Sequence, residues 1–187
     1  MGYFDKLENV NEYIKMVDGY DGKELIKILE DYLDPGSTLL ELGMGPGKDL
    51  DLLQKKYTVT GSDSSEVFLD LYRKKNPKTD LLNIDALSLN TDRKFDCIYS
   101  NKVLHHLERD ELPRSLERQC ELLNPDGIAF HTFWQGTGEE THHDLLFVYY
   151  TQDDLTSIVP DGYNILRNVL YKEDKKDDSI ILILQKK

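Results

Sequence analysis

The chain has 187 residues, of which 39% are hydrophobic and 31% are charged, a length that fits one domain with a sizeable core. Its formal net charge of −12 argues against a sequence-independent nucleic-acid binder, because such proteins carry a basic surface. The sequence has neither an apolar run long enough to cross a membrane nor an N-terminal apolar signal segment. We therefore expect a cytoplasmic protein that binds neither membranes nor nucleic acid.

The first 34 residues carry apolar positions at a helical period and predict one or two helices, which Asp34-Pro35-Gly36 ends. From residue 37 onward, short apolar strands and amphipathic helices follow one another. The predicted organisation is a single domain over residues 1–187, with an N-terminal helical cap at 1–34 and the core at 37–187.

A glycine-rich turn lies between the first strand and the first helix of this core. The stretch Leu39–Leu53 has the sequence LLELGMGPGKDLDLL, in which Gly43, Gly45 and Gly47 are two residues apart. Glycine has no Cβ and tolerates positive φ, so the backbone can approach a ligand closely. The following helix directs its free N–H groups and the positive end of its dipole toward the turn. The pattern predicts a ligand site at the carboxyl end of the first strand.

Two common phosphate-binding motifs do not fit this turn. A P-loop would require glycine in place of Leu42 and serine or threonine in place of Asp49. The dinucleotide fingerprint G-x-G-x-x-G would require its third glycine in place of Lys48. The remaining pattern, acidic-x-G-x-G-x-G, begins at Glu41. A carboxylate repels a pyrophosphate in a poorly solvated cleft, so this turn suits a ligand with a cationic amino group.

This stretch resembles motif I of the class I S-adenosylmethionine-dependent methyltransferases, in particular their small single-domain members. The resemblance implies a Rossmann-like α/β fold, a three-layer sandwich whose seven-stranded, mostly parallel sheet has the order 3-2-1-4-5-7-6 and an antiparallel last strand. It implies S-adenosyl-L-methionine as cofactor and S-adenosyl-L-homocysteine as product, bound by Glu41 and the three glycines. N-terminal helices cover the pocket in this family, which makes Tyr20 a candidate contact, with simple packing as its alternative role.

The second and third predicted strands each end at an acidic residue. The second, 57–62, ends at Asp63, twenty positions after Gly43. A carboxylate there can accept both ribose hydroxyls of an adenosine, with Ser64 beside it; the alternative is that Asp63 caps the next helix. The third, 79–84, ends at Asp85-Ala86. The resemblance implies that this pair contacts the adenine, although aspartate after a strand is also a common turn residue.

The fourth predicted strand, Phe95–Asn101, is nearly all apolar and therefore central. With the residues that follow, its sequence FDCIYSNKVLHHL is similar to motif IV of the family. The resemblance places Ser100 and Asn101 beside the methionine part of the cofactor and matches His106 to the usual histidine. Two adjacent helical residues differ by about 100° in direction, so we expect only one of His105 and His106 to face the pocket.

The C-terminal third predicts a fifth strand over Ile128–Trp134, then a polar loop at Gln135–Leu146 that overhangs the cleft. The run before this strand resembles the family motif L-x-P-G-G, with Asp126 in place of the first glycine. Two more strands, Tyr163–Tyr171 and Ser179–Gln185, are joined by a connection too short for a helical crossover, so they are predicted to be antiparallel. Such an ending is the second point of resemblance to the family.

The chemistry implied is in-line S_N2 methyl transfer to a small-molecule acceptor, in which the protein mainly aligns the reactants. A general base is needed only if the acceptor keeps a proton at neutral pH. No single base stands out from the sequence. The weak candidates for a catalytic role are His105, His106, His142, His143, Tyr149, Tyr150 and Glu139.

Other functions are less well supported by the residues. The histidines lack the H-E-x-x-H spacing and no cysteine pair assists them, so we expect no metal site. The glycine register and Glu41 disfavour a nicotinamide-dependent oxidoreductase. The alternative is a catalytically degenerate cofactor-binding or partner module of the same fold, since no base is evident. We expect a monomer or a homodimer, and the identity of the acceptor stays open.

Overall fold

A seven-stranded sheet organises the protein, as seen in a computed structural model that describes residues 2–187. The strands are β1 (Thr38–Glu41), β2 (Thr58–Asp63), β3 (Leu81–Asn83), β4 (Phe95–Asn101), β5 (Leu123–Trp134), β6 (Glu139–His142), β7 (Leu145–Val148), β8 (Tyr163–Tyr171) and β9 (Ser179–Lys186). The large sheet has the order β3-β2-β1-β4-β5-β9-β8, and β6 and β7 form a separate hairpin. Without the hairpin, this order is the predicted 3-2-1-4-5-7-6, which is confirmed.

Helices cover both faces of the sheet. They are α1 (Leu7–Met16), α2 (Lys23–Leu29), α3 (Lys48–Leu53), α4 (Glu66–Lys75), α5 (Glu111–Leu122) and α6 (Gln152–Ile158), with 3₁₀ turns at Tyr3–Asp5 and Leu104–His106. Most predicted bounds are reproduced within three residues. The fifth strand is an exception, because it begins at residue 123 rather than at 128. Asp126 in its first part has a φ of 60°, in the left-handed region that glycine usually occupies.

Two hydrophobic cores form because successive side chains of a strand point to opposite faces. Leu39 packs against α2, α3 and α4, whereas Leu40 packs against α5 and α6. The same alternation divides the apolar run of β9 between the two cores. Strands buried on both faces are almost continuously apolar, which is why β4 and β9 were recognisable from the sequence.

The sheet ends in an antiparallel arrangement, as predicted. β9 runs antiparallel to both β5 and β8, while the strands β1 to β5 pair with one another in parallel. The tight connection from β8 to β9 is held by Asp178, whose carboxylate accepts N–H groups of Glu173, Asp174 and Lys175. These hydrogen bonds outweigh the effect of partial burial and lower the pKa of Asp178 to about 2.

The prediction of a polar loop at Gln135–Leu146 is wrong, because this segment contributes most of the hairpin β6–β7. Both residues of its turn, His143 and Asp144, have positive φ. Turns of this geometry usually have the sequence Asn-Gly, and this one does not. Every residue of β6 is exposed, so the strand has no apolar alternation either. Arg109 fixes the base of the hairpin by donating hydrogen bonds to the carbonyls of Gly138 and Tyr149.

The N-terminal segment, defined as residues 2–22, crosses the carboxyl edge of the sheet. The Lys48 ammonium donates to the Val17 carbonyl at 2.5 Å, and the Ser65 hydroxyl donates to the Phe4 carbonyl at 2.6 Å. Val10 of α1 is fully buried. Within residues 2–187, no helix has the length and apolar character needed to cross a membrane.

Candidate functional site

A cavity of about 790 Å³ opens where β1, β4 and β5 end, between the N-terminal segment and the hairpin. It brings together nine residues predicted from the sequence: Glu41, Gly43, Gly45, Asn101, Tyr20, His105, His106, His142 and His143. The other predicted residues do not line it: Gly47, Asp63, Ser64, Asp85, Ala86, Ser100, Glu139, Tyr149 and Tyr150. Most of the predicted methionine side of the site is therefore assembled, whereas the adenosine side lies outside the cavity lining.

The glycine turn forms the floor of the cavity, and its three glycines all have positive φ. They differ in what surrounds them. A Cβ at Gly47 would lie 2.3 Å from the Tyr72 ring, so this glycine is required by packing. Among residues 2–187, a Cβ at Gly45 would meet only the Tyr13 ring, at 3.7 Å, so the described chain leaves the space above it open. Gly45 is thus the position at which the backbone is free to approach a ligand.

Two buried carboxylates, those of Glu41 and Asp49, line the cavity beside this turn. The Oε2 atom of Glu41, at the end of β1, has no hydrogen-bond donor among residues 2–187, although the residue is only 4% exposed. Burial raises the pKa of Glu41 well above its usual range, and repulsion by Asp49 and Asp63 raises it further. A ligand with a cationic group would supply the missing donor and offset this repulsion.

Sequence reasoning missed Asp49, which joins three elements from the first turn of α3. Its carboxylate accepts the Gly22 N–H at 2.7 Å, the Tyr99 hydroxyl at 2.8 Å and the Asn101 amide at 3.1 Å. The residue lines the cavity and is 8% exposed. In the sequence, Asp49 was informative only as a mismatch to the P-loop motif. No local pattern indicates which distant residues donate hydrogen bonds to it.

Asp63 braces the glycine turn from the end of β2. One carboxylate oxygen accepts the Gly45 N–H at 2.9 Å, and the other accepts the Ser65 N–H at 2.8 Å. Burial raises the pKa of Asp63, while these backbone donors act in the opposite direction. The helix cap of α4 is Ser65, whose hydroxyl accepts the Phe68 N–H. The alternative that Asp63 is itself the cap is therefore wrong.

The remaining predicted cofactor residues lie around the strand ends. Asp85 is exposed, and its partial desolvation is outweighed by hydrogen bonds from the Ser88 hydroxyl and from the N–H groups of Ser88 and Leu87, which lower its pKa. The Ala86 carbonyl accepts the Ser115 hydroxyl. Ser100 is fully buried and hydrogen-bonds to the Nδ1 atom of His131 at 2.8 Å, and neither residue lines the cavity.

The two adjacent histidines both line the cavity, so the expectation that only one of them faces it is wrong. They lie on the 3₁₀ turn Leu104–His106 instead of an α-helix, and their ring centroids are 4.0 Å apart. Both rings also contact Phe147 of the hairpin. His106 Nδ1 lies 2.6 Å from the Leu146 carbonyl oxygen.

Lys102 is the second residue that sequence reasoning missed, and it lines the cavity. Its backbone has a φ of 56°, which turns the chain away from β4. The ammonium group donates to the hydroxyls of Ser179 and Tyr171 and lies 3.8 Å from the Trp134 ring centroid. Burial lowers the pKa of Lys102 to about 8, against the opposing effect of Glu173. These partners occupy the ammonium, so Lys102 joins β4 to β8 and β9.

Of the other catalytic candidates, His142 and Tyr149 contact a carboxylate, whereas the buried Tyr150 hydroxyl has no hydrogen-bond partner among residues 2–187. The His142 ring lies 3.1 Å from the Glu140 carboxylate, and Tyr149 donates to the same carboxylate. Tyr150 is 1% exposed. In the part of the chain that the structure describes, no three His, Cys, Asp or Glu side chains are arranged to hold a metal ion.

Part of this chain is similar in sequence to methyltransferases. Residues 39–127 match the family model described as a methyltransferase domain. An uncharacterized methyltransferase of Oceanobacillus iheyensis is 29% identical over 120 residues, which are 63% of this chain and 54% of that protein. The five curated relatives at this level of similarity are matched over 30–63% of their own lengths.

Solved structures show the same fold at low sequence identity. An S-adenosylmethionine-dependent methyltransferase from Clostridium acetobutylicum has a TM-score of 0.78 and 17% identity, covering 94% of this chain and 98% of that one. The 1,6-didemethyltoxoflavin-N1-methyltransferase of Burkholderia thailandensis, solved with 1,6-didemethyltoxoflavin and S-adenosylhomocysteine, has a TM-score of 0.76 and 18% identity. That match covers 94% of this chain and 82% of the other.

Proposed function

We propose that this chain, whose residues 39–127 match the model described as a methyltransferase domain, belongs to the class I S-adenosylmethionine-dependent family and transfers a methyl group from S-adenosylmethionine to a small-molecule acceptor. The observation that carries the proposal is the buried Glu41 carboxylate, which lines the cavity and whose buried Oε2 atom has no hydrogen-bond donor among residues 2–187. Leaving a buried polar group unpaired costs about 1–3 kcal/mol. A ligand with a cationic amino group removes that cost, and a nicotinamide cofactor with its pyrophosphate does not.

In this proposal each part of the site holds one part of the cofactor. Glu41, Asp49 and the open backbone at Gly45 bind the methionine portion, with Asn101 beside it. The ribose is assigned to Asp63 and Ser64, and the adenine to Asp85 and Ala86. Support for the adenosine assignments comes from the sheet register, in which Asp63 at the end of β2 pairs with Asn83 at the end of β3. The adenosine side therefore borders the glycine turn.

S-adenosylmethionine, when bound, supplies a methyl group on a positively charged sulfur. The chain then has to align the acceptor with that methyl group and exclude water, and alignment alone can lower the barrier by roughly 7–11 kcal/mol. The N-terminal segment and the hairpin, which wall the cavity on two sides, provide this enclosure. Gly43 and Gly45 fix the backbone against which the donor lies.

Three observations support a small molecule as the acceptor. The cavity volume lies in the range of small-molecule sites, about 300–1,000 Å³. The net charge of −12 opposes a nucleic-acid substrate. The Burkholderia enzyme of the same fold binds 1,6-didemethyltoxoflavin, which is itself a small molecule.

Calorimetric titration with S-adenosylhomocysteine, with NADH in parallel, tests the proposal. We expect S-adenosylhomocysteine alone to bind, with micromolar affinity. Binding of NADH alone would overturn the assignment of the glycine turn. Binding of neither would favour the partner module, and binding of S-adenosylhomocysteine without turnover on any acceptor would favour a degenerate cofactor-binding protein.

A further inference from the structure

The hydrogen bond between His106 and the hairpin fixes the position of the proton on the imidazole. The Nδ1 atom of His106 lies 2.6 Å from the Leu146 carbonyl oxygen, which can only accept a hydrogen bond. Nδ1 must therefore carry the proton and donate it. In the neutral ring, this leaves the lone pair on Nε2, a tautomer set by the backbone of β7.

Nε2 of His106 is the ring nitrogen that remains available to a ligand. It has no hydrogen-bond partner among residues 2–187 and is not fully buried, so it is accessible from the space beside the ring. His106 lines the cavity. Its neighbour His105 differs, because both of its ring nitrogens are fully buried. His105 therefore packs against His106 and Phe147 but offers no accessible base.

The surroundings keep His106 neutral. Burial lowers its pKa below the usual value, and the hydrogen bond to the Leu146 carbonyl opposes this effect. The groups packed around the ring are the neutral His105 and the Phe147 ring, with the exposed His142 ring on the other side of Phe147. A neutral imidazole with a free lone pair and a second group that orients it has the arrangement expected of a general base.

We propose that His106 is the general base of the transfer, and that the methyl acceptor is a small molecule whose reacting oxygen or nitrogen carries a proton, such as a phenolic hydroxyl. This inference depends on the proposed function. As the bond from the acceptor to the methyl carbon forms and the carbon–sulfur bond breaks, the acceptor's proton moves to Nε2. The sulfonium becomes a neutral thioether, and the imidazolium later releases its proton to solvent.

The geometry favours His106 over the other candidates. Tyr149 and His142 both contact the Glu140 carboxylate, and Tyr150 is buried. His143 at the tip of the hairpin lies against the Tyr3 ring of the N-terminal segment. A carboxylate acceptor would need no base, so this arrangement indicates an acceptor that must lose a proton.

The tautomer is tested by nuclear magnetic resonance on the ¹⁵N-labelled full chain saturated with S-adenosylhomocysteine. Long-range proton–nitrogen correlations of the imidazole rings should show a protonated Nδ1 and an unprotonated Nε2 for His106 near neutral pH. The signals are assigned by their loss in His106→Asn. An Nε2–H tautomer or an imidazolium would overturn the proposal while leaving cofactor binding, and thus the proposed function, intact.

The same variant separates a base from a structural anchor. In His106→Asn the side-chain amide can still donate to the Leu146 carbonyl, but the lone pair is lost. With catechol as probe, whose hydroxyl keeps its proton at neutral pH, we expect transfer to fall by about 10²–10⁴-fold while the affinity for S-adenosylhomocysteine stays within about twofold. Transfer to 4-nitrophenol, which ionises near neutral pH, should fall less. Unchanged transfer in the variant would overturn the role of His106. Transfer to the carboxylates of trans-aconitate alone, or to no phenolic probe, by a chain that binds S-adenosylhomocysteine would overturn the acceptor class.

Discussion

At the scale of single residues, Glu41 lowers the stability of the ligand-free protein and favours ligand binding. Its pKa is raised by burial and by Asp49 and Asp63, so the charged form is disfavoured in the folded chain relative to the unfolded one. The resulting cost is absent below the unfolded pKa and grows as the pH rises toward and through the folded pKa. Binding sites commonly keep such unfavourable groups because the ligand compensates for them.

Glu41→Gln should therefore stabilise the ligand-free protein and weaken ligand binding. We expect the free energy of unfolding to rise by on the order of 1–3 kcal/mol at pH 8 and to change little at pH 4, measured by urea denaturation. The affinity for S-adenosylhomocysteine should fall at least about tenfold, because the acceptor for the cationic group loses its charge. Glu139→Gln, on an exposed strand, is the matched control and should change neither quantity. A destabilised variant with unchanged affinity would contradict this account of Glu41.

Asp63 has two roles, since it accepts the Gly45 N–H and is the predicted ribose acceptor, and two substitutions address them. Asp63→Ala removes the acceptor of the Gly45 N–H and the predicted ribose acceptor together, so the affinity for S-adenosylhomocysteine should fall far more than in His106→Ala. Calorimetry on both variants measures the difference. Asp63→Asn keeps one acceptor oxygen for Gly45 and should lose less stability than Asp63→Ala. Small and equal effects in Asp63→Ala and His106→Ala would rule out the assignment to the ribose.

At the scale of elements, substitutions at Gly45 and Gly47 of the glycine turn should differ in whether they affect ligand binding or stability. Gly45→Val places its side chain in open space, so the chain should fold with a cost of about 1–2 kcal/mol for positive φ and yet lose S-adenosylhomocysteine binding. Gly47→Ala drives its Cβ into the Tyr72 ring, so its main effect should be on stability. Thermal unfolding and calorimetry on the two variants give the comparison. Wild-type affinity in Gly45→Val would mean that the ligand does not approach this backbone.

The elements also show why part of the site escaped prediction. The glycine turn and the acids at the strand ends are local patterns, and the structure has them where the sequence indicated. The hairpin β6–β7 has short, exposed strands and an unusual turn, so neither periodicity nor turn chemistry marks it. The error over His105 and His106 came from assuming α-helical geometry for a segment that forms a single 3₁₀ turn.

At the scale of the whole molecule, the strand order was predictable only through the resemblance to the family, whereas the antiparallel pairing of the last two strands follows from a connection too short for a crossover. The network around Asp49 was not predictable, since its donors come from Gly22, Tyr99 and Asn101, which are distant in sequence. Local patterns therefore give the layers and the glycine turn. Only the folded chain shows which polar groups meet at the cavity.

The N-terminal segment leads to a prediction about the whole fold, because it both walls the cavity and is fastened to it. The Gly22 N–H and the Lys48 ammonium are engaged across the boundary, with Asp49 and the Val17 carbonyl as their acceptors. A ligand buried beneath the segment must add contacts to it, so opening of the segment becomes less frequent once the ligand is bound.

Hydrogen exchange should report this coupling. With saturating S-adenosylhomocysteine, amide exchange in α1 should slow by at least about tenfold, equivalent to about 1.4 kcal/mol, while the protected core of β9 serves as the internal control. Tyr20→Phe removes the hydroxyl that donates to Asp174 at 3.3 Å across the mouth of the cavity, and it should reduce the protection of α1 only slightly, because both residues are exposed. Unchanged exchange in α1 on ligand binding would show that the cavity fills without the segment closing over it, and the segment would then be a structural addition to the core instead of its cap.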